Sequence, residues 1–152
     1  MQVTVYSNFH TPVEDKEFLD LISEIKNGKF ESEIKSIRYA IHQGNTSLGE
    51  SQKKQLLAFT PSGIFKDGRT LDNLEGYTGL AHVDIDKLYP EEVESIREKV
   101  NQSQYTYASF VSPSGLGLKI FVKVSTGKDE HKLMIQQLME YYEELTGVPC
   151  DP

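Results

Sequence analysis

This 152-residue chain has one cysteine, Cys150. An internal disulfide is therefore excluded, and a reducing, cytoplasmic setting is expected. No apolar run approaches the ~20 residues that a membrane-spanning helix needs, so no membrane partner is expected. The start, Met1-Gln-Val-Thr-Val-Tyr6, lacks a basic region followed by an apolar core, and no secretory signal is expected from it. Excess positive charge is also missing: 16 Lys and Arg stand against 23 Asp and Glu, for a formal net charge of -7. Duplex-binding surfaces are normally strongly basic, so any contact with nucleic acid has to come from a local patch or through metal ions. The hydrophobic share of 38% is high enough to argue against disorder. The length fits a single domain able to bury a proper core.

The apolar spacing predicts a strand over Val3 to Ser7. It predicts helices over Lys16 to Lys26, with Phe18, Leu21, Ile22 and Ile25 in one stripe, and over Glu31 to His42, with Ile34, Ile37 and Ile41 aligned. Residues Gly44 to Gln52 are polar and read as a loop, and Leu56 to Thr60 as a short strand broken by Pro61-Ser-Gly63. Gly79 to Asp86 is the clearest strand. Pro90 is expected to open a helix, where its missing N–H costs little and Glu91 and Glu92 suit the positive end of the dipole. Tyr105 to Val111 and Leu118 to Val124 read as a hairpin. A last helix is expected from about Lys128 to Leu145, with Met134, Leu138, Tyr141, Tyr142 and Leu145 inward. Phe59-Thr-Pro-Ser-Gly63 echoes Val111-Ser-Pro-Ser-Gly115; two ordinary turns account for both. Gly147-Val-Pro-Cys-Asp-Pro152 reads as an extended segment, after which the natural chain is expected to continue.

Side chains alternate along a strand. In Leu80-Ala-His-Val-Asp-Ile-Asp86, Ala81, Val83 and Ile85 share one face, and His82, Asp84 and Asp86 share the other. From the strand rise, Asp84 and Asp86 are roughly 6–7 Å apart at Cα. Two like charges held together cost free energy unless a cation or donors neutralise them. Mg²⁺ is often held by one or two carboxylates together with substrate phosphates and water. The pair is a candidate Mg²⁺ or Mn²⁺ site suited to phosphoryl or nucleotidyl transfer; the bland alternative is two exposed acids at a strand end. His82 is either a further ligand or a packed neighbour.

The turn of the expected hairpin reads Ser112-Pro-Ser-Gly-Leu-Gly-Leu-Lys119. Glycines allow close approach of backbone to an anion, and successive N–H groups form concave anion sites. Ser112 and Ser114 offer hydroxyls, Gly115 and Gly117 open backbone, and Lys119 a cation. Lys119, Phe121 and Lys123 are expected on the face away from the core. If this strand neighbours the Asp84 strand, Lys119 and the aspartates clamp a nucleotide triphosphate between them. The alternative is an ordinary hairpin whose glycines only make the turn. His131 reads as a solvated or capping residue, and Lys53-Lys54 as a solvated pair unless they touch nucleic-acid phosphate.

Taken together, Gly79-Leu-Ala-His-Val-Asp-Ile-Asp86, a helix, Ser112-Pro-Ser-Gly-Leu-Gly-Leu-Lys119-Ile-Phe-Val, then His131, Tyr141-Tyr142 and Gly147-Val-Pro-Cys-Asp151 resemble the N-terminal domain of VirE-type proteins of bacterial mobile elements. That domain in turn resembles the archaeo-eukaryotic primase–polymerase superfamily. The resemblance implies catalytic metals on Asp84 and Asp86. It implies phosphate binding by Ser112, Ser114, Gly115 and Gly117, with Lys119 where the superfamily has histidine. A third acid lies further on in that superfamily, and Asp151 is the candidate to begin its segment.

The expected fold is α+β and RRM-like: a mixed or antiparallel sheet with helices mainly on one face and the metal site on the other. The expected function is a primase–polymerase-like nucleotidyltransferase, with Asp84, Asp86 and Lys119 catalytic, acting on nucleotide triphosphate and nucleic acid in mobile-element replication. The competing expectation is a non-catalytic module that binds single-stranded nucleic acid or docks on a P-loop ATPase or helicase domain.

Overall fold

The computed structural model describes residues 1–8 and 11–151; Pro152, the last residue of the expected extended end, lies outside the described residues. The described chain is α+β, as expected, with its strands in three small antiparallel sheets and five α-helices among them. It divides into two compact units, Met1–Thr78 and Gly79–Pro152.

In the first unit, β1 (Gln2–Tyr6) lies between β2 (Pro12–Glu17) and β3 (Ala58–Thr60). Central position explains its burial from Val3 through Tyr6. The Thr4 hydroxyl donates to Asp15 Oδ1 at 2.6 Å and accepts from the Phe65 N–H at 2.9 Å. One buried polar group thus ties β1 to β2 and to β4 (Gly63–Phe65), which pairs with β5 (Leu74–Tyr77). The helices α1 (Phe18–Lys26) and α2 (Glu31–His42) bury Phe18 and Leu21, and Ile37 and Ala40, respectively.

Two expectations are corrected here. The helix expected from Lys16 begins at Phe18, and Lys16 sits in β2 opposite Val3. As an edge strand β2 needs no apolar stripe, so its Pro-Val-Glu-Asp-Lys-Glu sequence hides it. The polar segment Gly44 to Gln52 is mostly α3 (Thr46–Lys53). The Asn45 side chain caps it by accepting from the Leu48 N–H. Gly49 permits its approach to α2: a methyl group there would lie 2.7 Å from Ile41 Cγ1.

In the second unit β8 (Leu118–Lys123) is central, between β6 (Leu80–Ile85) and β7 (Thr106–Val111). Ala81, Val83 and Ile85 of β6 and Leu118, Ile120 and Val122 of β8 form one continuous apolar face. Onto it α4 (Val93–Gln102) brings Val93, Ile96 and Val100, and α5 (His131–Thr146) brings Leu138 and Tyr142. The Tyr142 hydroxyl meets the Thr106 hydroxyl at 2.8 Å, so the large ring is buried with its polar tip satisfied. Pro90 does not open α4, which starts at Val93. Pro90 lies in a preceding turn closed by the Glu92 N–H on Tyr89 O at 2.9 Å and by the Tyr89 N–H on the Glu92 carboxylate at 3.0 Å. Among the described residues no helix is long and apolar enough to cross a membrane.

Candidate metal and phosphate site

Antiparallel register decides which side chains meet. Asp84 lies directly opposite Lys119, and Lys119 opposite Phe110. On the other side of β6, Asp151 forms an isolated antiparallel bridge with Asp84, its N–H donating to Asp84 O at 2.8 Å. Directly opposed residues share a face. Asp151, Asp84, Lys119 and Phe110 therefore form one row across the sheet, on the face away from the helices. His82 and Phe121 form the adjacent pair.

The expected proximity of the turn and the aspartates is present. Lys119 Nζ donates to Asp84 Oδ2 at 2.6 Å, with side-chain exposures of 29% and 22%. The other carboxylate oxygen, Asp84 Oδ1, is buried and has no hydrogen-bond partner. His82 Nε2 stands 3.9 Å from it, too far for a hydrogen bond. Burial pushes the His82 imidazole below its ordinary value; Lys119 and His131 push the same way, against Asp84. Asp86 follows the end of β6, and Asp151 is exposed.

The face is less open than alternation suggests. Phe121 was expected to be displayed beside Lys119, yet it is fully buried. Its ring stacks on Phe110 at 5.5 Å and on His82 at 6.1 Å between centroids. Lys123 lies over the Tyr107 ring at 3.8 Å.

The glycine-rich turn is tightly organised. Ser112 and Gly117 close it, the Ser112 N–H donating to Gly117 O at 2.9 Å. The hydroxyls of Ser112 and Ser114 meet each other at 2.9 Å, and Ser114 Oγ also accepts from the Leu116 N–H. Gly115 has φ +80, a left-handed turn position. A methyl group on Gly117 would lie 2.4 Å from Ile85 O and 2.6 Å from Asp86 Oδ1. Both glycines thus have a structural role, and Gly117 seats the turn against Asp86 and the end of β6.

Among the described residues, no three His, Cys, Asp or Glu side chains gather closely enough to form a metal cage. A sparser arrangement, in which one or two carboxylates share a cation with a ligand's phosphates and water, needs only Asp84, with its partnerless Oδ1, and Asp86 two residues on. His82, its Nε2 3.9 Å from Asp84 Oδ1, is a further donor close by. Cys150, next to Asp151, has its thiol pushed up to about 12 by burial first and by Glu143 and Asp84 second, so it is no ready thiolate. Outside this site, Lys53 ends α3 and pairs with Glu50 at 3.7 Å. Counting register from the turn sets Lys119 opposite Phe110; its pairing with Asp84 depends on β6 lying beside β8, which was expected only as a condition. The partnerless oxygen had no sequence signal.

The family described as BT4734-like, N-terminal domain, matches residues 51–152. The match spans well over half of the chain, and the chain belongs to that family. This corrects the VirE-type assignment expected from the motifs: the matching family is a different one. No curated protein and no solved structure matches the chain.

Proposed function

From the site's geometry, we propose that the second unit binds a nucleotide polyphosphate together with Mg²⁺ or Mn²⁺, in the manner of a nucleotidyltransferase centre. The supporting observation is the divided state of the Asp84 carboxylate. One oxygen is held by Lys119, and the other is buried without a hydrogen-bond partner. Buried polar atoms are nearly always satisfied, so a buried orphan oxygen invites a cation or donor. Asp84 and Asp86 would hold the metal, and Lys119 and the backbone of the Ser112–Lys119 turn would meet the phosphates. Metal chemistry there would lower the barrier to attack on the α-phosphate. A cytoplasmic setting and a nucleic-acid partner belong to the same proposal. The mobile-element context rested on the corrected resemblance and carries no weight in it.

A second reading has its own support. The Ser112 and Ser114 hydroxyls bond each other, and Gly115 and Gly117 are explained by the turn itself. A turn of this kind also serves a module that binds nucleic acid, or docks on an ATPase or helicase domain, without chemistry. Calorimetric titration of a nucleoside triphosphate with and without Mg²⁺, on wild type and Asp84→Asn, separates the two. Metal-dependent binding lost in Asp84→Asn is the expected result, because an amide lacks the charge that holds a hard cation. Equal binding by both proteins removes the metal from the proposal and leaves the module.

A further inference from the structure

The cation position beside Asp84 is already filled, by a side chain of the protein itself. Lys119 Nζ sits 2.6 Å from Asp84 Oδ2, on the strand directly opposite. A divalent ion approaching Asp84 from solvent meets an ammonium group in its place. Expelling Lys119 with nothing to receive it leaves a partly buried cation unpaired, and that cost is subtracted from metal binding. A free polyphosphate meets the opposite difficulty. It needs Lys119, but Lys119 leaves Asp84 only if another cation takes over the carboxylate, and Asp86 and Asp151 repel the incoming anion. One class of ligand meets both requirements at once: a polyphosphate already carrying its divalent metal.

We infer that this site, on the reading proposed above, takes metal and polyphosphate only as a pair, with Lys119 passing from Asp84 Oδ2 to a phosphate oxygen as the metal occupies Asp84. The exchange is one for one in contacts. The carboxylate trades an ammonium for a metal, and the ammonium trades a carboxylate for a phosphate, itself a strong charge-assisted acceptor. The orphan Asp84 Oδ1 gives the incoming metal a second oxygen on the same residue that Lys119 does not use. Lys119 therefore acts as both stand-in cation and phosphate ligand. It excludes bare metal, bare anion and monophosphates too short to reach both groups.

The test uses Mn²⁺ and inorganic tripolyphosphate, so that no base or sugar contact contributes. Calorimetry or Mn²⁺ paramagnetic resonance gives Mn²⁺ affinity alone and with saturating tripolyphosphate, and tripolyphosphate affinity in chelator. For wild type, each partner is expected to tighten the other by about 10-fold or more, within the usual range of coupling between two ligands. Lys119→Met keeps the aliphatic stem and removes the ammonium. It is expected to bind Mn²⁺ alone more tightly than wild type and to lose the coupling. Circular dichroism confirms that it is folded, and Lys119→Arg, which keeps a cation, should retain coupling. Mn²⁺ binding to wild type that is equally tight with and without tripolyphosphate overturns the inference while leaving the metal site standing. So does unchanged Mn²⁺ affinity in Lys119→Met. Failure of wild type and Lys119→Met to bind Mn²⁺ under any of these conditions removes the proposed function itself.

Discussion

Thr4 and Asp84 each place a polar side chain on a sheet, one in each unit, and their circumstances differ. Thr4 is 2% exposed and fully engaged: its hydroxyl gives to Asp15 and receives from Phe65. Asp84 keeps one oxygen on Lys119 and one buried oxygen without a hydrogen-bond partner. A buried polar group with all its bonds made is a fastener, here of three strands. One with a bond left unmade costs stability where it stands, and its retention makes sense if something outside the chain completes it. The two units therefore use buried polarity differently: Thr4 holds a fold, and on the function proposed above the open oxygen of Asp84 receives a ligand.

The turn glycines offer the largest lever on this contrast. A methyl group on Gly117 meets the backbone oxygen of Ile85 and a carboxylate oxygen of Asp86, and neither strand end nor turn can move aside alone. A methyl group on Gly63, in the first unit, meets Leu74 Cδ1 at 2.4 Å and the Phe65 ring edge at 2.8 Å, which are side-chain atoms able to swing. Gly117→Ala should lower stability by about 1–3 kcal/mol, in the usual range for overpacking, and Gly63→Ala by less. Urea unfolding of the two variants compares them. A larger loss in Gly63→Ala would mean that the turn at the site is the looser of the two.

Thr4→Val comes next. It removes the hydroxyl and strands the Phe65 N–H, at a cost of about 1–3 kcal/mol for a buried group left unsatisfied; exposed Asp15 recovers water and keeps the loss toward the lower end. Because Thr4 is a fastener only, the variant should leave metal and nucleotide binding unchanged once folded. Asp84→Asn should show the reverse pattern, with binding lost and a smaller change in unfolding midpoint. A Thr4→Val protein that folds fully but no longer binds would erase the division of roles.

The smallest expected effect is a pH dependence at His82. Its folded-state value is lowered, by burial first. Below the ordinary value of 6.5, the unfolded chain takes up a proton that the folded ring resists. Stability therefore falls as pH drops through that value, and keeps falling until the folded ring protonates as well. Thermal midpoints from pH 7.5 to 5 should decline less steeply in His82→Gln than in wild type. Parallel slopes would show that the ring titrates alike in both states.

Legibility in the sequence followed burial. The helix over Glu31 to His42 matches α2 from end to end, and β6 and β8 follow their alternation, because each must present an apolar face to a core. Edge strand β2 and capped helix α3 were missed because neither needs such a face. One is held by pairing on a single side and the other by the Asn45 cap. At the site, alternation and the hairpin together put Lys119 and Asp84 on one face. Rotamers settled the rest: the ammonium lies on Oδ2, Oδ1 is left over, and the two serine hydroxyls turn toward each other. Those choices depend on three-dimensional crowding that no pattern of residue types encodes.

The row that crosses the second sheet has a consequence for how the site comes into being. Its members, Asp84, Phe110, Lys119 and Asp151, come from four separate stretches of chain, brought together by register rather than by sequence proximity. Contacts of such long sequence separation form only after the intervening loops have closed. A growing polypeptide that has released β6, α4 and the β7–β8 hairpin holds Asp84 and Lys119, but the full row waits for residue 151 to emerge. Until then the nascent domain carries its acidic strand without the segment that borders it. The row is therefore complete only with the whole sheet, and Asp84 can pair with Lys119 before Asp151 arrives.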